Sequence, residues 1–279
     1  MPVRTLSDIC TVLGDGRLPA RSIGYGDFAT YVATISLCRR VSSEGTRSMR
    51  AQRARGERTQ RGPARYRHLD ELRREHGVKR DAIRARLAEF RAMWQLADAR
   101  LFEEVAYCIL AVQTKARASA AAVQRLMETE LLLEGDAQAI AALLRHHVRF
   151  HNHKAAYLVA ARERFRRGGH WVLKETLASF PSHEAARDWL MREVDGFSMK
   201  ESSHLLRNIG YSDHLAILDR HVLRNLVHHG VIRSVPKSLT PKRYREIEAR
   251  WREFAAAVSI PLAELDLLFF SRGAGAILK

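Results

Sequence analysis

The chain has 279 residues, of which 46% are hydrophobic and 28% charged, with a formal charge of +16 at pH 7. That length holds one large domain or two small ones, and the balance is that of a globular protein, not a fibrous or wholly disordered one. No uninterrupted apolar run reaches membrane-spanning length, and the first twenty residues lack a basic start followed by a clean apolar core, so a cytoplasmic protein without membrane association is expected.

The positive charge favours a polyanionic partner, with nucleic acid ahead of an anionic membrane. Residues 39–80 hold 14 Lys/Arg against 5 Asp/Glu, a net of +9, while residues 1–38 hold three of each. The remaining +7 falls on 81–279, so the folded part is basic in its own right. Cysteine is sparse. Cys10, Cys38 and Cys108 are far apart and form no CxxC pair, which argues against a disulfide framework, a zinc knuckle and a four-cysteine iron–sulfur cluster.

Residues 1–38 are of mixed character, with β-branched residues in Tyr31–Ile35. Residues 39–66 are Arg-rich with almost no large apolar side chains, too little to offset the entropy of ordering, and a disordered basic extension over 1–66 is expected. From about His68 the pattern turns helical. Leu69, Leu72, Val78, Ile83, Leu87 and Phe90 recur at spacings near three and four. Phe102, Val105, Ala106, Ile109 and Leu110 form the next stripe, with Cys108 buried on the same helix. An Ala-rich helix is predicted at about 116–133, then stripes through Ile140, Leu143 and Leu144 and through Ala155, Leu158, Val159 and Ala161. Ser182 after Pro181 reads as the N-cap of a helix through Ala186, Trp189 and Leu190. Thr240-Pro241 opens a helix to about Val258, and a last helix is predicted from Pro261 to Ser271. No period-two alternation is long enough for a sheet. The expected fold is all-α, with two helical lobes and a groove between them over 67–279.

The informative stretch is Val194-Asp195-Gly196-Phe197-Ser198-Met199-Lys200. A helix ends, Gly196 supplies the positive φ of a tight turn, and a second helix starts at once. Amides at that start lack intrahelical acceptors and suit a DNA phosphate, so Gly196, Phe197 and Ser198 are candidate backbone contacts. Lys200 stands in the first turn. Alone it reads as a solvated helix residue; as a nucleophile it would need burial or a cationic neighbourhood to lower a reference pKa of about 10.4. His204 is one turn on and reads as a packed histidine. Further along, the apolar run Leu215–Leu218 leads into Asp219, which reads as a helix N-cap. A capping carboxylate is also kept charged and aimed outward, which suits chemistry at a sugar carbon that develops positive charge.

These residues resemble the helix-hairpin-helix DNA glycosylase superfamily, and within it the type-2 8-oxoguanine DNA glycosylase/AP lyases. The hairpin continues into Lys200-Glu201-Ser202-Ser203-His204-Leu205-Leu206-Arg207-Asn208-Ile209-Gly210-Tyr211, similar to that group's K-E-A-S-H-F-L-R-N-x-G-Y. Leu218-Asp219-Arg220-His221 is similar to its L-D-R-H. The segments Val148–Ala155 and Cys108–Ala116 resemble its R-F-x-x-x-K-A and C-I-L-x-x-Q-[ST]-x-A. The resemblance covers roughly 68–279.

It implies a two-lobed helical HhH-GPD fold, with oxidised guanine in double-stranded DNA as the target and the damaged nucleotide extruded into a pocket. Lys200 would attack C1′ and Asp219 would stabilise the developing charge; the Schiff base would then permit β-elimination. Lys279 is the implied base-recognition residue, with Gln113 as a second candidate. A monomer is expected. So is catalysis without a cofactor or an iron–sulfur cluster, leaving room for a structural monovalent ion at the hairpin. Two departures stand out. Ser198 occupies the place of a second hairpin glycine, where a positive φ would cost serine on the order of a kcal/mol. The spacing from Lys200 to Asp219 is also one residue longer than in the group, through Tyr211–His214. The alternatives are a related glycosylase for alkylated purines or oxidised pyrimidines, or a non-catalytic hairpin DNA-binding module.

Overall fold

The computed structural model describes residues 66–277. The Arg-rich segment expected to be disordered, the β-branched stretch at 31–35 and Lys279 all lie outside these residues. The helices are α1 (Leu69–Met93), α2 (Asp98–Ala111), α3 (Ala116–Glu128), α4 (Leu131–Glu134), α5 (Ala137–Leu144), α6 (His151–Phe165), α7 (Leu173–Ala178), α8 (His183–Glu193), α9 (Met199–Asn208), α10 (Arg220–His228), α11 (Pro241–Val258) and α12 (Leu262–Ala274). Two-residue strands β1 (Arg166–Arg167) and β2 (His170–Trp171) pair as a hairpin after α6. Gly168 and Gly169, both at positive φ, make its turn. Among the described residues no single helix is long and apolar enough to cross a membrane.

The apolar stripes assemble two cores. The first gathers Leu101, Phe102, Val105, Ala106 and Ile109 of α2 with the inner faces of α3 to α8. The second gathers Leu72, Ile83, Leu87 and Phe90 of α1 with α10, α11 and α12. Helix α9 belongs to both, because Met199 joins the second core while Leu205, Leu206 and Ile209 join the first. Eight of its residues are buried, Ser202, Ser203 and His204 among them, so the helix that carries Lys200 runs between the two cores.

Side-chain caps set five of the twelve helix starts among the described residues. Ser182 accepts from the Ala185 amide at 3.1 Å and Thr240 from Arg243 at 3.3 Å, as their sequence positions predict. The Ala-rich helix is shorter than predicted. It stops at Glu128, Glu130 takes the left-handed conformation at φ 58°, and a separate turn of helix follows. Val78, assigned to the α1 stripe, is 86% exposed; the buried side of α1 passes through Leu72 and Ile83 instead. Tyr66 packs edge-on against Phe254 at 4.9 Å, and the Arg67 amide donates to the His229 carbonyl at 3.1 Å. Helix α12 runs three residues past Ser271 to Ala274, through Gly273. A Cβ on Gly273 would fall 1.9 Å from His221 Nδ1, so the imidazole lies directly on the helix backbone.

Candidate active site

The hairpin between α8 and α9 is built as the sequence requires at Gly196 and differently at Ser198. Gly196 has φ 83°, and a Cβ there would come within 2.9 Å of the Tyr157 ring on α6. Glycine is therefore needed for both backbone conformation and contact with α6. Ser198 has φ −110° and ψ −177°, extended backbone that any residue adopts. The cost anticipated for a serine at positive φ does not arise. Ser198 is instead the N-cap of α9. Its Oγ accepts from the Lys200 amide at 3.2 Å, and Glu201 closes a capping box by accepting from the Ser198 amide at 3.3 Å and from its hydroxyl. The Phe197 amide donates to the Val194 carbonyl at 3.1 Å. Of the three residues predicted to contact a phosphate, Phe197 and Ser198 thus have amides with partners inside the turn.

Lys200 lies at the second position of α9, its side chain 25% exposed and its Nζ 3.6 Å from Glu201 Oε1. Asp219 caps α10 by accepting from the Val222 amide at 2.7 Å. The strap before it is fixed from α11. The Ala216 amide donates to Glu248 at 2.7 Å, the Leu218 amide donates to the Tyr244 hydroxyl at 3.1 Å, and that hydroxyl donates to the Ala216 carbonyl at 2.7 Å. Glu248 is itself held by a bidentate pair with buried Arg187 of α8, at 2.8 and 3.1 Å. One buried chain of contacts therefore ties the helix before the hairpin to the strap that aims Asp219.

Asp266 of α12 places the two predicted residues in one electrostatic neighbourhood. Burial pushes its carboxyl up to about 7; the Arg207 guanidinium opposes the rise, the Asp219 charge adds to it, and the Lys200 ammonium again opposes it. Arg207, seven residues after Lys200 and so on the same face of α9, donates to Asp266 at 2.8 Å. Its Nε donates to Asn208 Oδ1 at 3.0 Å, and the Asn208 amide donates to Glu104 of α2 at 3.0 Å. Sequence reasoning missed Asp266, although an acid inside the run Leu265–Phe270 was a visible signal. The packed role expected of His204 matches the structure: it is buried with its ring edge-on to Tyr107 at 5.9 Å. Gln113 is exposed in the loop after α2, at φ 53°.

Among the described residues, His68, Glu71 and His228 have donor atoms within 4.8 Å of one another. All three are exposed, and the two rings stack nearly parallel at 4.1 Å and 11°. Parallel rings aim their nitrogens in separate planes instead of at a common point.

A lysine at the mouth of a glycine hairpin, set between two helical cores and sharing its field with a helix-capping aspartate, is the arrangement of a helix-hairpin-helix DNA glycosylase. The family model described as 8-oxoguanine DNA glycosylase matches residues 83–260. The 8-oxoguanine DNA glycosylase/AP lyase of Fusobacterium nucleatum is 39% identical over 198 residues, which cover 71% of this chain and 91% of that protein. The Methanocaldococcus jannaschii enzyme of the same name is 34% identical over 201 residues, covering 72% and 93%. The crystal structure of the Methanocaldococcus jannaschii 8-oxoguanine glycosylase/lyase with 15mer DNA containing 8-oxoguanine aligns with a TM-score of 0.68 at 30% identity, covering 76% of this chain and 99% of that one. The chain belongs to the 8-oxoguanine DNA glycosylase family.

Proposed function

We propose that this protein is a bifunctional glycosylase and AP lyase that removes 8-oxoguanine from duplex DNA, with Lys200 as nucleophile and Asp219 as its carboxylate. What supports the assignment is the setting of the two residues: Lys200 stands in the first turn of α9 directly after the Gly196 turn, and Asp219 is fixed at the start of α10 by the Val222 amide at 2.7 Å. A hairpin used only for binding would need Gly196 and have no reason to hold an amine and an aimed carboxylate beside it.

In this reading the Lys200 ammonium gives up a proton, with Asp219 assisting, and the free amine attacks C1′ of the extruded deoxynucleoside. The C1′–N9 bond breaks and its electron pair leaves with the base, which takes up a proton. The aminal then opens to a Schiff base as the ring oxygen leaves C1′. Loss of a C2′ proton expels the 3′ phosphate, cutting the strand 3′ to the lesion. Asp219 meets the positive charge that builds on the sugar; its link to the Val222 amide keeps it oriented. Amine, carboxylate and water supply every step, so no cofactor is required, and one chain supplies both groups, which suits a monomer. The phosphate grip falls to the turn at Gly196 and to the first turn of α9. Lys279 and Gln113 remain the residues assigned to the base and its surroundings.

The test is strand cleavage of a duplex carrying a single 8-oxoguanine. The expected result is cleavage without added alkali, with products from a β-elimination. Cleavage confined to alkylated purines or oxidised pyrimidines would move the protein to a different lesion. Tight binding with no base release from any of these would leave a binding module.

A further inference from the structure

The end of α10 remote from Asp219 opens onto a cavity of about 450 Å³, lined by the loop 230–234 and by Arg243 and Arg250 of α11. Val231 and Ile232 of that loop are buried in the second core. The polar lining is then three guanidinium groups, from Arg233, Arg243 and Arg250, and the Ser234 hydroxyl. No carboxylate lines the cavity.

The absence of acids here contrasts with the rest of α11. Arg245 pairs with Asp188 at 2.6 Å and Arg252 with Glu184 at 3.2 Å. Arg243 shares its charge with Glu246 at 3.0 Å. Arg233 and Arg250 are exposed and have no ion-pair partner among the described residues. Arg243 and Arg250 are seven residues apart, two turns along one face of the helix and about 10 Å from each other. The first turn of α11 carries Lys242 beside Arg243 and holds no acid. Like charges gathered round one cavity repel each other, and a guanidinium offers donors only. The arrangement becomes favourable when an anion enters, and the planar fork of arginine matches the paired oxygens of a phosphate.

The same end of the molecule receives the basic N-terminal chain. His229, the residue before the cavity, is tied to Arg67 twice: its carbonyl accepts from the Arg67 amide at 3.1 Å, and its Nδ1 lies 2.9 Å from the Arg67 carbonyl. The segment 39–65 that leads to this point holds nine arginines and two acids. The cavity's form also selects among phosphates. It is open, its volume is many times that of one phosphate ion, and two of its arginines are exposed, so it suits a length of extended backbone better than a single enclosed anion. Eleven residues, most of them helical, separate Asp219 from Gly230, a distance of about 15 Å or the rise of four to five base pairs.

We propose that Arg233, Arg243 and Arg250 form a second phosphate-binding site, which holds the phosphodiester backbone of the duplex at a distance from the reacting nucleotide. The site grips DNA without reading its sequence or its damage, and it contributes affinity and salt dependence, not chemistry. It rests on the reading above only in taking duplex DNA as the ligand.

The experiment measures Kd for a 30-base-pair 8-oxoguanine duplex by fluorescence anisotropy between 0.05 and 0.3 M NaCl, for wild type and Arg233→Gln/Arg250→Gln. Each phosphate contact contributes about 0.9 to the slope of log K against log salt, so the double variant should lose about 2 from the slope and bind about tenfold more weakly at 0.1 M salt. The same loss is expected on an undamaged duplex. Borohydride trapping on a five-nucleotide single-stranded abasic oligonucleotide, which reaches only the catalytic centre, should stay within about twofold of wild type. Arg233→Lys/Arg250→Lys keeps both charges and should keep the slope. Arg80→Gln/Arg86→Gln removes as much charge from α1 and should leave the slope nearly unchanged.

An unchanged slope in Arg233→Gln/Arg250→Gln overturns the proposal. So does an equal slope loss in the α1 variant, which would make the effect one of net charge, or an equal loss of trapping, which would place the arginines at the catalytic centre. Thermal melting in inorganic phosphate separates a free-anion site: stabilisation that vanishes in the variant while the duplex slope stays whole would also overturn it. A wild-type protein that binds no duplex, damaged or not, would instead overturn the glycosylase reading itself.

Discussion

Asp219 has two duties in this structure, and one pair of substitutions separates them. Its carboxylate caps α10 through the Val222 amide at 2.7 Å, and it is assigned to stabilise positive charge on the sugar. Asparagine is as good a cap as aspartate, so Asp219→Asn keeps the cap and loses only the charge. Alanine loses both. The cap is worth about 1 kcal/mol, which for a domain of this size is a Tm shift of about 2–4 °C. The charge is worth more where it counts, because removing one preorganised electrostatic group from an active site costs about 10²–10³ in rate. Asp219→Asn is therefore expected to melt within about 1 °C of wild type and to lose base release by two orders of magnitude or more. Asp219→Ala should lose as much activity and melt a few degrees lower. The assays are thermal denaturation and single-turnover release of 8-oxoguanine from duplex DNA. If Asp219→Asn retains near wild-type turnover, the carboxylate is a cap and nothing else. If its Tm falls as far as that of the alanine variant, the assignment of the cap is wrong.

Other consequences follow from the buried polar framework. Ser198→Ala removes the N-cap and half of the capping box of α9, and should lower Tm by about 2–4 °C. Ser198→Gly should recover part of that loss, as glycine is a tolerated cap; equal melting of the two variants would contradict the cap. Arg187→Met removes the bidentate partner of buried Glu248 and leaves it only the longer contact to Arg252 at 3.5 Å, a loss of about 3–5 kcal/mol and a Tm drop on the order of 10 °C. A melting curve unchanged by this substitution would show that the pair is not formed. His229 is held down to about 4, chiefly by burial, with its backbone contact to Arg67 opposing and the Arg272 charge adding to the depression. The unfolded chain binds a proton near 6.5 and the folded one only near 4, so stability is whole above 6.5 and lost as pH falls between them. The loss is about 2–3 kcal/mol after allowance for solvent screening. Acid denaturation of His229→Gln should be flatter over that window, and an identical slope in both proteins would contradict this.

Much of the fold was legible because amphipathic helices and their caps are local signals. The stripes at Phe102–Leu110, Ala155–Ala161 and Ala186–Leu190, and the caps Ser182, Asp219 and Thr240, stand where the spacing puts them. Errors occurred where a tertiary choice overrode the local one. Val78 fits a helical spacing, yet faces solvent because the second core meets α1 elsewhere. Glu130 breaks the Ala-rich helix with a left-handed turn that no glycine announces. Ser198 looked like a defect when compared with the family pattern, and proves to be a helix cap, an exchange that only the dihedral angles show. The reacting pair could be named from the hairpin and from the turn at Leu218–His221. The Arg187–Glu248–Ala216 contacts and the Arg207–Asp266 pair could not be, since each joins residues about sixty or thirty positions apart.

The central claim is that Lys200 forms a covalent bond to C1′ of the damaged nucleotide, and reduction of the Schiff base tests it most directly. Protein incubated with duplex 8-oxoguanine DNA and borohydride should give one protein–DNA adduct, with the crosslinked peptide containing Lys200. The adduct should vanish in Lys200→Gln while duplex binding persists. An adduct undiminished in Lys200→Gln, or one mapped to another amine, would contradict the account.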